Sequence, residues 1–375
     1  MCWRDHFFLI FAIWIAALSP AWAQQKTFIG EGSDTMMGIG GRYIGLAGSG
    51  AAVSNDIYAL YFNPAGLAHI ETAEISIAQQ VNSELLPINF AGAAVAMPVF
   101  DRFGISTVVA AGYIPRLHMY ADGAFAANDL ESVFLRYALP GITGNFDGII
   151  SSKTKDYRVA LAFAGEDSEL WALGVSVGKV DCATFFCGVT AEGADGYKVI
   201  STGATAYTLN LGARYKVADN LTFGVSVKDV NTTLDVDVQI TDTNSTRDLT
   251  FKTSFPTDVT VGVLWNYNDS LDLTADYQTM FGKYGNYDID VRILRLGAEK
   301  RFGHIATRAG LVVPINISSS RLPEIVLPFP VAPTLGVGWN GDRLNVDMAL
   351  YGHPIMSYSQ NRIYLASDLS VSYKF

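Results

Sequence analysis

From residue 71 onward, apolar and polar residues alternate with a period of two, the pattern of β-strands with two different faces. In the stretch 258–267, every second residue is a large apolar one: Val259, Val261, Val263, Trp265 and Tyr267. The stretches 271–281 and 344–351 repeat this alternation. The pattern predicts strands that turn an apolar face either to a protein core, as in a soluble sandwich, or to lipid, as in a membrane barrel.

The lengths of the connections between these strands favour the barrel. Short turns are predicted near 101–103, 165–169, 217–220, 266–270, 301–303 and 340–342. Longer connections are predicted near 82–87, 115–155, 180–203, 238–256, 282–287, 315–331 and 353–361. Strict alternation of short and long is typical of transmembrane barrels, whose tight turns face the periplasm. We therefore predict an all-β fold, a transmembrane antiparallel β-barrel of about fourteen strands, with twelve or sixteen strands as the alternatives.

Both ends of the chain carry export features. Arg4 precedes the apolar run 7–18, and Ala21-Trp22-Ala23 is a small-x-small cleavage site, which predicts a signal peptide cleaved after Ala23. A run this short does not span a membrane as a helix, although an uncleaved anchor is the alternative. The chain ends on an alternating apolar face that closes with Phe375. This ending resembles the signal recognised by the barrel-assembly machinery, so we predict the bacterial outer membrane and that partner during biogenesis.

Composition and charge agree with a lipid-facing barrel. Hydrophobic residues make up 50% of the chain and charged residues only 17%, against roughly 25% charged residues in an ordinary soluble domain. The formal net charge of −10 argues against nucleic acid as a partner.

Cysteines and histidines give little sign of chemistry. Cys182 and Cys187 lie in the predicted external connection 180–203, where a small loop-closing disulfide is predicted, with free thiols as the alternative. They have no neighbouring His or Cys, so no metal site is predicted. His118 and His353 lie on predicted external loops but in no nucleophile motif. The chain also lacks a phosphate loop, so we predict neither an enzyme nor a cofactor.

Residues 24–70 do not alternate and are rich in glycine. The segment ends in Tyr61-Phe62-Asn63-Pro64-Ala65-Gly66-Leu67, where Pro64 prevents a regular strand ladder. Its length is ample to fold back into the lumen of a fourteen-stranded barrel, and a periplasmic tail is the alternative. The predicted organisation is a signal peptide at 1–23, an N-terminal hatch or plug at 24–70, and a barrel at 71–375.

The stretches 41–48, 51–56 and 59–68 resemble the N-terminal hatch of the FadL family, which includes the TodX-type transporters. The resemblance implies a fourteen-stranded barrel plugged by a hatch with an Asn-Pro-Ala turn. It also implies a channel for long-chain fatty acids or aromatic hydrocarbons. The hatch or gate residues carried over are Asn63, Pro64, Ala65 and Gly66. The same opening is shared by PorV-type proteins, which serve a protein secretion system.

A transporter of such compounds needs an apolar landing site, and the predicted loops contain candidates. Asn128 begins and Pro140 ends a stretch with apolar residues at helical spacing, which predicts an amphipathic helix in the 115–155 connection. The predicted ligand-binding residues are Leu130, Val133, Phe134 and Tyr137, with Leu327 and Phe329 in the 315–331 connection. The alternative is that these apolar residues only pack against neighbouring loops.

The expected function is passive uptake of hydrophobic small molecules, such as long-chain fatty acids, with outer-membrane lipid as a further partner. The main alternative is a PorV-like component of a secretion or surface-attachment system, whose partners are secretion-system proteins. A general diffusion porin is the third.

Two further predictions concern the wall of the barrel. Charged residues of both signs are expected on its inner face: Arg158, Arg214, Lys228, Asp258, Asp272, Asp276, Asp347 and Asp368. They would form hydrogen bonds and ion pairs to a plug, and the alternative is that they line a water-filled barrel. The stretch Ala110-Ala111-Gly112-Tyr113-Ile114-Pro115 is poor strand material, and a bulge in it that opens the wall sideways is a hypothesis.

Overall fold

The structure is a computed structural model of the chain. It describes residues 27–31, 37–80, 88–125, 146–165, 170–181, 189–193, 198–203, 205–241, 246–284, 287–319, 331–353 and 363–375.

Nineteen antiparallel strands account for most of these residues. They are β1 Thr27–Glu31, β2 Glu74–Gln80, β3 Ile88–Met97, β4 Ile105–Phe125, β5 Phe146–Gly165, β6 Trp171–Asp181, β7 Val189–Gly193, β8 Lys198–Gly203, β9 Thr205–Ala218, β10 Leu221–Lys228, β11 Thr233–Thr241, β12 Thr246–Ser254, β13 Thr257–Asn268, β14 Leu271–Tyr284, β15 Tyr287–Phe302, β16 Ile305–Ser319, β17 Ala332–Asn340, β18 Leu344–Gly352 and β19 Leu365–Lys374.

Fourteen of the strands close a barrel, as predicted. The ring runs from β2 through β6, then β9, β10 and β13 to β19, and it closes where β19 pairs with β2 along Asp368–Lys374. Short turns join β3 to β4, β9 to β10, β13 to β14, β15 to β16 and β17 to β18. These turns, the start of β2 and the end of β19 lie at one end of the barrel, which we call the turn end; the opposite end is the loop end.

The remaining five strands extend the wall at the loop end. β7 and β8 pair with each other, β7 also pairs with β5, and β8 pairs with β11 of the β11–β12 hairpin. β1 pairs with β4 at His118–Asp122. The chain therefore begins its described course beside the loop end and reaches β2 at the turn end. Residues 24–70, which do not look like strand in the sequence, contain the strand Thr27–Glu31, because a strand of five residues is too short for alternation to be detected.

The outer surface is apolar between two sets of exposed aromatic rings. Near the turn end these are Phe100, Phe103, Tyr215, Trp265, Tyr267, Phe302, Trp339 and Phe375, and nearer the loop end Tyr157, Tyr207, Tyr277 and Phe281. On β9, Tyr207 and Tyr215 are separated by roughly 26 Å of strand at about 3.3 Å per residue. For tilted strands this matches the apolar band between aromatic girdles of a transmembrane barrel.

Strand pairing corrects the predicted extent of several connections. β4 and β5 stay paired as far as Phe125 and Phe146, so 115–125 and 146–155 are strand and not loop. The connections 180–203 and 238–256 contain β7, β8, β11 and β12, and β16 runs to Ser319. Sequence patterns missed these extensions because they leave the apolar band, where alternation is no longer required.

The hypothesis of a bulge that opens the wall within 110–115 is wrong for Ala110 to Ile114, and the ladder is irregular only at Pro115. The pairing of β4 with β3 is continuous from Thr107 to Tyr113, and its pairing with β5 is continuous from Ile105 to Pro115. The register shifts only between Pro115 and Leu117. Pairing with β3 has already ended there, at Tyr113. Proline has no N–H to donate. At Pro115 no residue of β3 is paired with β4, so the missing donor leaves no β3 carbonyl without its partner.

Residues Met37–Ile70, which we call the inner segment, are almost entirely buried. Their regular structure is short: helix α1 Gly41–Gly45, helix α2 Ala59–Phe62 and a 3-10 helix Pro64–His69; a further 3-10 turn, Asp101–Phe103, lies between β3 and β4. Added Cβ atoms at wall glycines on opposite sides of the barrel would meet it: Gly92 meets Ile57, Gly174 meets Pro64, Gly224 meets Ala51 and Gly310 meets Ala47. The inner segment therefore lies in the lumen.

Candidate functional site

The Asn-Pro-Ala-Gly motif forms a tight corner in the inner segment. The Asn63 side-chain oxygen accepts from the Ala65 N–H at 3.1 Å, and Pro64 opens the 3-10 helix. The Asn63 amide donates to the carbonyls of Ala51 at 2.6 Å and Ala213 at 3.1 Å. Asparagine thus caps the helix with one group and ties the corner to β9 with the other, which explains the need for this residue type.

Wall glycines let the backbone of the inner segment approach the strands. A Cβ at Gly224 would overlap the Ala51 carbonyl, and one at Gly174 would overlap the backbone of Pro64. On β17, Gly336 lies against Gly45. These contacts are between backbones, which cannot turn aside as a side chain can.

Strands β9, β10 and β13 to β19 hold the inner segment through many polar bonds, beside an apolar cluster that contains Met37, Ile44 and Ala47, and we call this part of the wall the polar sector. Asp276 of β14 accepts from the Gly50 and Ala51 N–H groups at 2.8 and 2.9 Å. Arg295 and Arg214 donate to the carbonyls of Ala47 and Ser54, each at 2.8 Å. Further bonds are Thr334 to the Gly45 carbonyl and the Gly41 N–H to Ser370. The wall thus satisfies backbone groups of the inner segment at helix ends and in the turns between the short helices.

An ion-pair network anchors the same sector near the turn end. Glu299 accepts from Arg42 of the inner segment at 3.2 Å and from Arg308 at 2.6 Å. Arg308 also donates to Asp347 at 2.7 Å. Within the inner segment, burial raises the pKa of Asp56, and Arg42, 3.7 Å away, opposes this rise. The network is buried and paired, as buried charges must be.

Strands β2 to β6 pack many apolar side chains against the inner segment, most of them alanines, and bond it at few points, such as Ser76 with Tyr58. Ile57, Leu60 and Leu67 of the inner segment belong to one buried cluster with these wall residues, and we call this contact the apolar seam. The wall residues of the seam are Ala78, Phe90, Ala94, Val108, Ala110, Ile114, Ala160, Ala162, Ala164 and Ala172. Small inward side chains leave the inner segment in apolar contact with five neighbouring strands.

A charged collar lies at the loop end of the seam. Arg116 of β4 donates to both oxygens of Asp229 at 2.6 and 2.7 Å and to Asp156 at 2.8 Å. Arg158 donates to Asp156 at 2.8 Å and to the Leu60 carbonyl at 3.2 Å. Asp156 pairs with Ile114 in the β4–β5 register, which places the collar directly beside the seam.

The structure places the sequence-predicted residues as follows. Asn63, Pro64, Ala65 and Gly66 lie buried in the lumen. All eight charges expected on the inner face are buried. Leu130, Val133, Phe134, Tyr137, Leu327, Phe329, Cys182 and Cys187 lie outside the described residues. The sequence analysis missed Arg116, Asp156, Asp229, Arg295, Glu299 and Arg308; for Arg295 and Glu299, alternation with Leu294, Leu296 and Ala298 was an available signal.

Solved structures with the same architecture are known. The toluene transporter TbuX of Ralstonia pickettii superposes with a TM-score of 0.57 at 15% identity, over 91% of this chain and 99% of that one. The chain folds as a FadL/TodX-type barrel. The P. putida toluene transporter TodX matches with a TM-score of 0.57 at 13% identity, over 91% and 99% of the two chains. A Pseudomonas aeruginosa FadL homologue gives 0.55 at 12%, over 92% and 98%. No family model matches the sequence, and no curated protein resembles it in sequence.

The described residues offer neither a metal-binding group nor a membrane-spanning helix. Within the described residues, no group of three or more His, Cys, Asp or Glu side chains is placed to hold a metal ion. No helix in the same part of the chain is long and apolar enough to cross a membrane.

Proposed function

We propose that the protein is an outer-membrane channel for passive uptake of hydrophobic small molecules, with long-chain fatty acids among its candidate cargoes. The observation that carries this proposal is the apolar seam. A hydrophobic molecule that enters between the apolar side chains of the inner segment and β2–β6 replaces one set of apolar contacts by another. The polar bonds across this contact are few, such as those of Tyr58 with Ser76 and of Arg158 with the Leu60 carbonyl. In this proposal the turn end faces the periplasm.

The inner segment acts as the hatch in this mechanism, with Asn63, Pro64, Ala65 and Gly66 at its corner. The polar sector keeps the hatch in its position, and the hatch separates from the wall along the apolar seam. Cargo moves down its concentration gradient, and no chemical step is required. The two toluene transporters of similar fold support a hydrophobic cargo.

The proposal includes several parts of the chain beyond the described residues. The signal peptide is cleaved after Ala23, and the mature protein comprises the hatch at 24–70 and the barrel at 71–375. The loop residues Leu130, Val133, Phe134, Tyr137, Leu327 and Phe329 capture the cargo, and a disulfide joins Cys182 to Cys187.

Two neighbouring residues on β5 allow a matched test in proteoliposomes. Ala162 is fully buried in the seam, and Leu161 faces lipid. Labelled oleate uptake by the folded wild type should be saturable. A162F should reduce the initial rate about tenfold, since it fills the seam, and L161F should leave the rate unchanged. Equal rates in the two variants, or no uptake by the wild type, would count against the proposal.

A second candidate function is a PorV-like scaffold for a secretion or surface-attachment system. The observation in its favour is the sheet that β7, β8, β11 and β12 add at the loop end, which offers a protein partner a broad backbone-paired surface. Under this reading the folded protein takes up no oleate, and cross-linking in intact cells captures a secretion-system protein through β11 and β12. A general porin would instead conduct potassium chloride freely.

A further inference from the structure

Arg214 of β9 differs from most basic residues of the lumen, because it has no carboxylate partner among the described residues. Arg295 also lacks an ion pair there, but it donates both to the Ala47 carbonyl and to the Gln278 side chain. Arg214 donates from one Nη atom to the Ser54 carbonyl at 2.8 Å. The basic residues that do pair with carboxylates are Arg42, Arg116, Arg158, Lys228, Arg301 and Arg308.

The Arg214 side chain is buried, and part of its capacity to donate hydrogen bonds is unused. The residue is 9% exposed, and its Nε has no hydrogen-bond partner in the part of the chain that the structure describes. Ser54, whose carbonyl receives Arg214, is fully buried, and its hydroxyl likewise has no partner there. A buried cation without a counter-charge is costly, and buried donors are nearly always paired. Two unused donors beside an unpaired positive charge therefore suit the anionic group of a ligand.

Arg214 lies where the apolar seam meets the polar sector. In the strand register it stands between Ala172 of β6, which belongs to the seam, and Gly224 of β10. The next residue, Tyr215, is one of the exposed rings near the turn end, so Arg214 lies inside the wall at the depth of those rings. A molecule that follows the seam from the loop end thus reaches Arg214 in the last part of its path.

A carboxylate on an apolar chain has the chemistry that suits this position. The apolar chain contacts the seam beside Ala172, and the headgroup accepts hydrogen bonds from Arg214 Nε and from the Ser54 hydroxyl. Charge-assisted bonds between arginine and a carboxylate are about twice as strong as neutral ones. An alcohol headgroup accepts a hydrogen bond as well, but it leaves the buried positive charge without a counter-charge.

We propose that Arg214 binds the carboxylate of an acidic hydrophobic cargo near the turn end of the seam, with the Ser54 hydroxyl as the second donor. This inference rests on the proposed function and deepens it, because it adds a specific binding residue to the path. The ionised acid is held at Arg214 before it leaves at the turn end. Arg214 thereby favours an acid over a neutral compound of equal length.

Three substitutions separate the charge of Arg214 from the hydroxyl of Ser54. R214Q removes the positive charge and keeps an N–H donor for the Ser54 carbonyl. S54A removes the hydroxyl and keeps that carbonyl, so it tests the site even if R214Q does not fold. Arg292 forms an exposed pair with Asp290 near the loop end of β15, so R292Q is the matched control for the loss of one positive charge.

The test is binding of labelled decanoate and 1-decanol to the full-length mature protein in non-ionic detergent at pH 8, where decanoate is ionised. R214Q should lower the decanoate affinity about tenfold and S54A about threefold, with the decanol affinity unchanged in both. R292Q should change neither affinity.

An unchanged decanoate affinity in folded R214Q, or in S54A where R214Q does not fold, would overturn the inference and leave the proposed channel standing. An equal loss of decanoate and decanol affinity in R214Q would also overturn it, because the substitution would then have disturbed the seam and not a carboxylate site. Binding of neither compound by the wild type would overturn the proposed channel and the inference together.

Discussion

The inner segment meets the barrel wall in two different ways. Toward β9–β19 it is held by hydrogen bonds and ion pairs to Asp276, Arg295, Glu299 and Thr334, with backbone pressed against wall glycines. Toward β2–β6 it rests on alanines and a few larger apolar side chains. Polar anchors are thus concentrated on one side of the inner segment, and the other side is largely apolar, which is where we propose that a hydrophobic molecule passes.

The difference matters because the two kinds of contact respond differently to a hydrophobic cargo. Breaking a buried hydrogen bond leaves a donor or acceptor unsatisfied at about 1–3 kcal/mol each, and an apolar compound cannot replace it. An apolar contact is replaced by the cargo itself, at little net cost. A plug with one face of each kind can open along the apolar face and remain anchored along the other.

The largest difference between the two faces should appear when one methyl group is added to a wall glycine. A Cβ at Gly224 would overlap the backbone of Ala51 in the polar sector, whereas a Cβ at Gly112 meets the flexible end of Leu60 in the seam at 2.7 Å. G224A should lower the free energy of unfolding by about 3 kcal/mol or more and G112A by about 1 kcal/mol. Urea unfolding in detergent measures both; equal losses would argue that the faces do not differ in rigidity.

A smaller effect is expected from removing a single polar anchor. D276A leaves the Gly50 and Ala51 N–H groups without their shared acceptor, which should cost about 2–4 kcal/mol. The loosened segment should also admit ions, seen as a raised single-channel conductance in planar bilayers. D290A removes an exposed aspartate and should change neither quantity. A D276A barrel as stable and as ion-tight as the wild type would show that this anchor is dispensable.

The smallest effect on stability, and the sharpest contrast in function, should come from trimming one methyl group on each face. Ile57 lies in the seam and Ile293 in the buried cluster of the polar sector, and both are fully buried. I57V and I293V should each cost about 1 kcal/mol. Only I57V should raise the initial rate of oleate uptake, because only it loosens the seam. A similar rate increase in I293V would erase the functional distinction between the faces.

Much of the barrel could be predicted from the sequence because lipid imposes a strict rule. Within the apolar band every second residue must be apolar, so 258–267 and 344–351 stood out and the count of fourteen was right. Beyond the band the rule lapses. For that reason the sequence does not distinguish β7, β8, β11, β12 and the loop-end parts of β4 and β5 from loops.

The lumen was harder to predict than the outer surface. The eight inward charges followed from alternation, but alternation does not say which charge meets which. The pairing of Arg116 with Asp229 joins residues 113 positions apart, and only the closed barrel brings them together. The division into polar sector and apolar seam likewise depends on which strands are neighbours in the closed barrel. The sequence of a single strand does not show it.

The most direct test of the proposed path is to cross-link the inner segment to the barrel wall at the apolar seam. The Leu60 side chain meets the wall at Gly112, where its Cδ2 lies 2.7 Å from a Cβ built at residue 112, so we expect oxidation to join L60C to G112C. Loss of both free thiols checks that the bond forms. The control pair V95C and V109C staples two facing wall strands, β3 and β4, without touching the inner segment. Both pairs are made with C182S and C187S, and oleate uptake into proteoliposomes is measured before and after reduction. We predict that oxidation of the L60C/G112C protein abolishes oleate uptake and that reduction restores it. The V95C/V109C protein should transport oleate in both the oxidised and the reduced state. Undiminished uptake by the oxidised L60C/G112C protein would contradict the claim that cargo passes where the inner segment yields to the apolar wall.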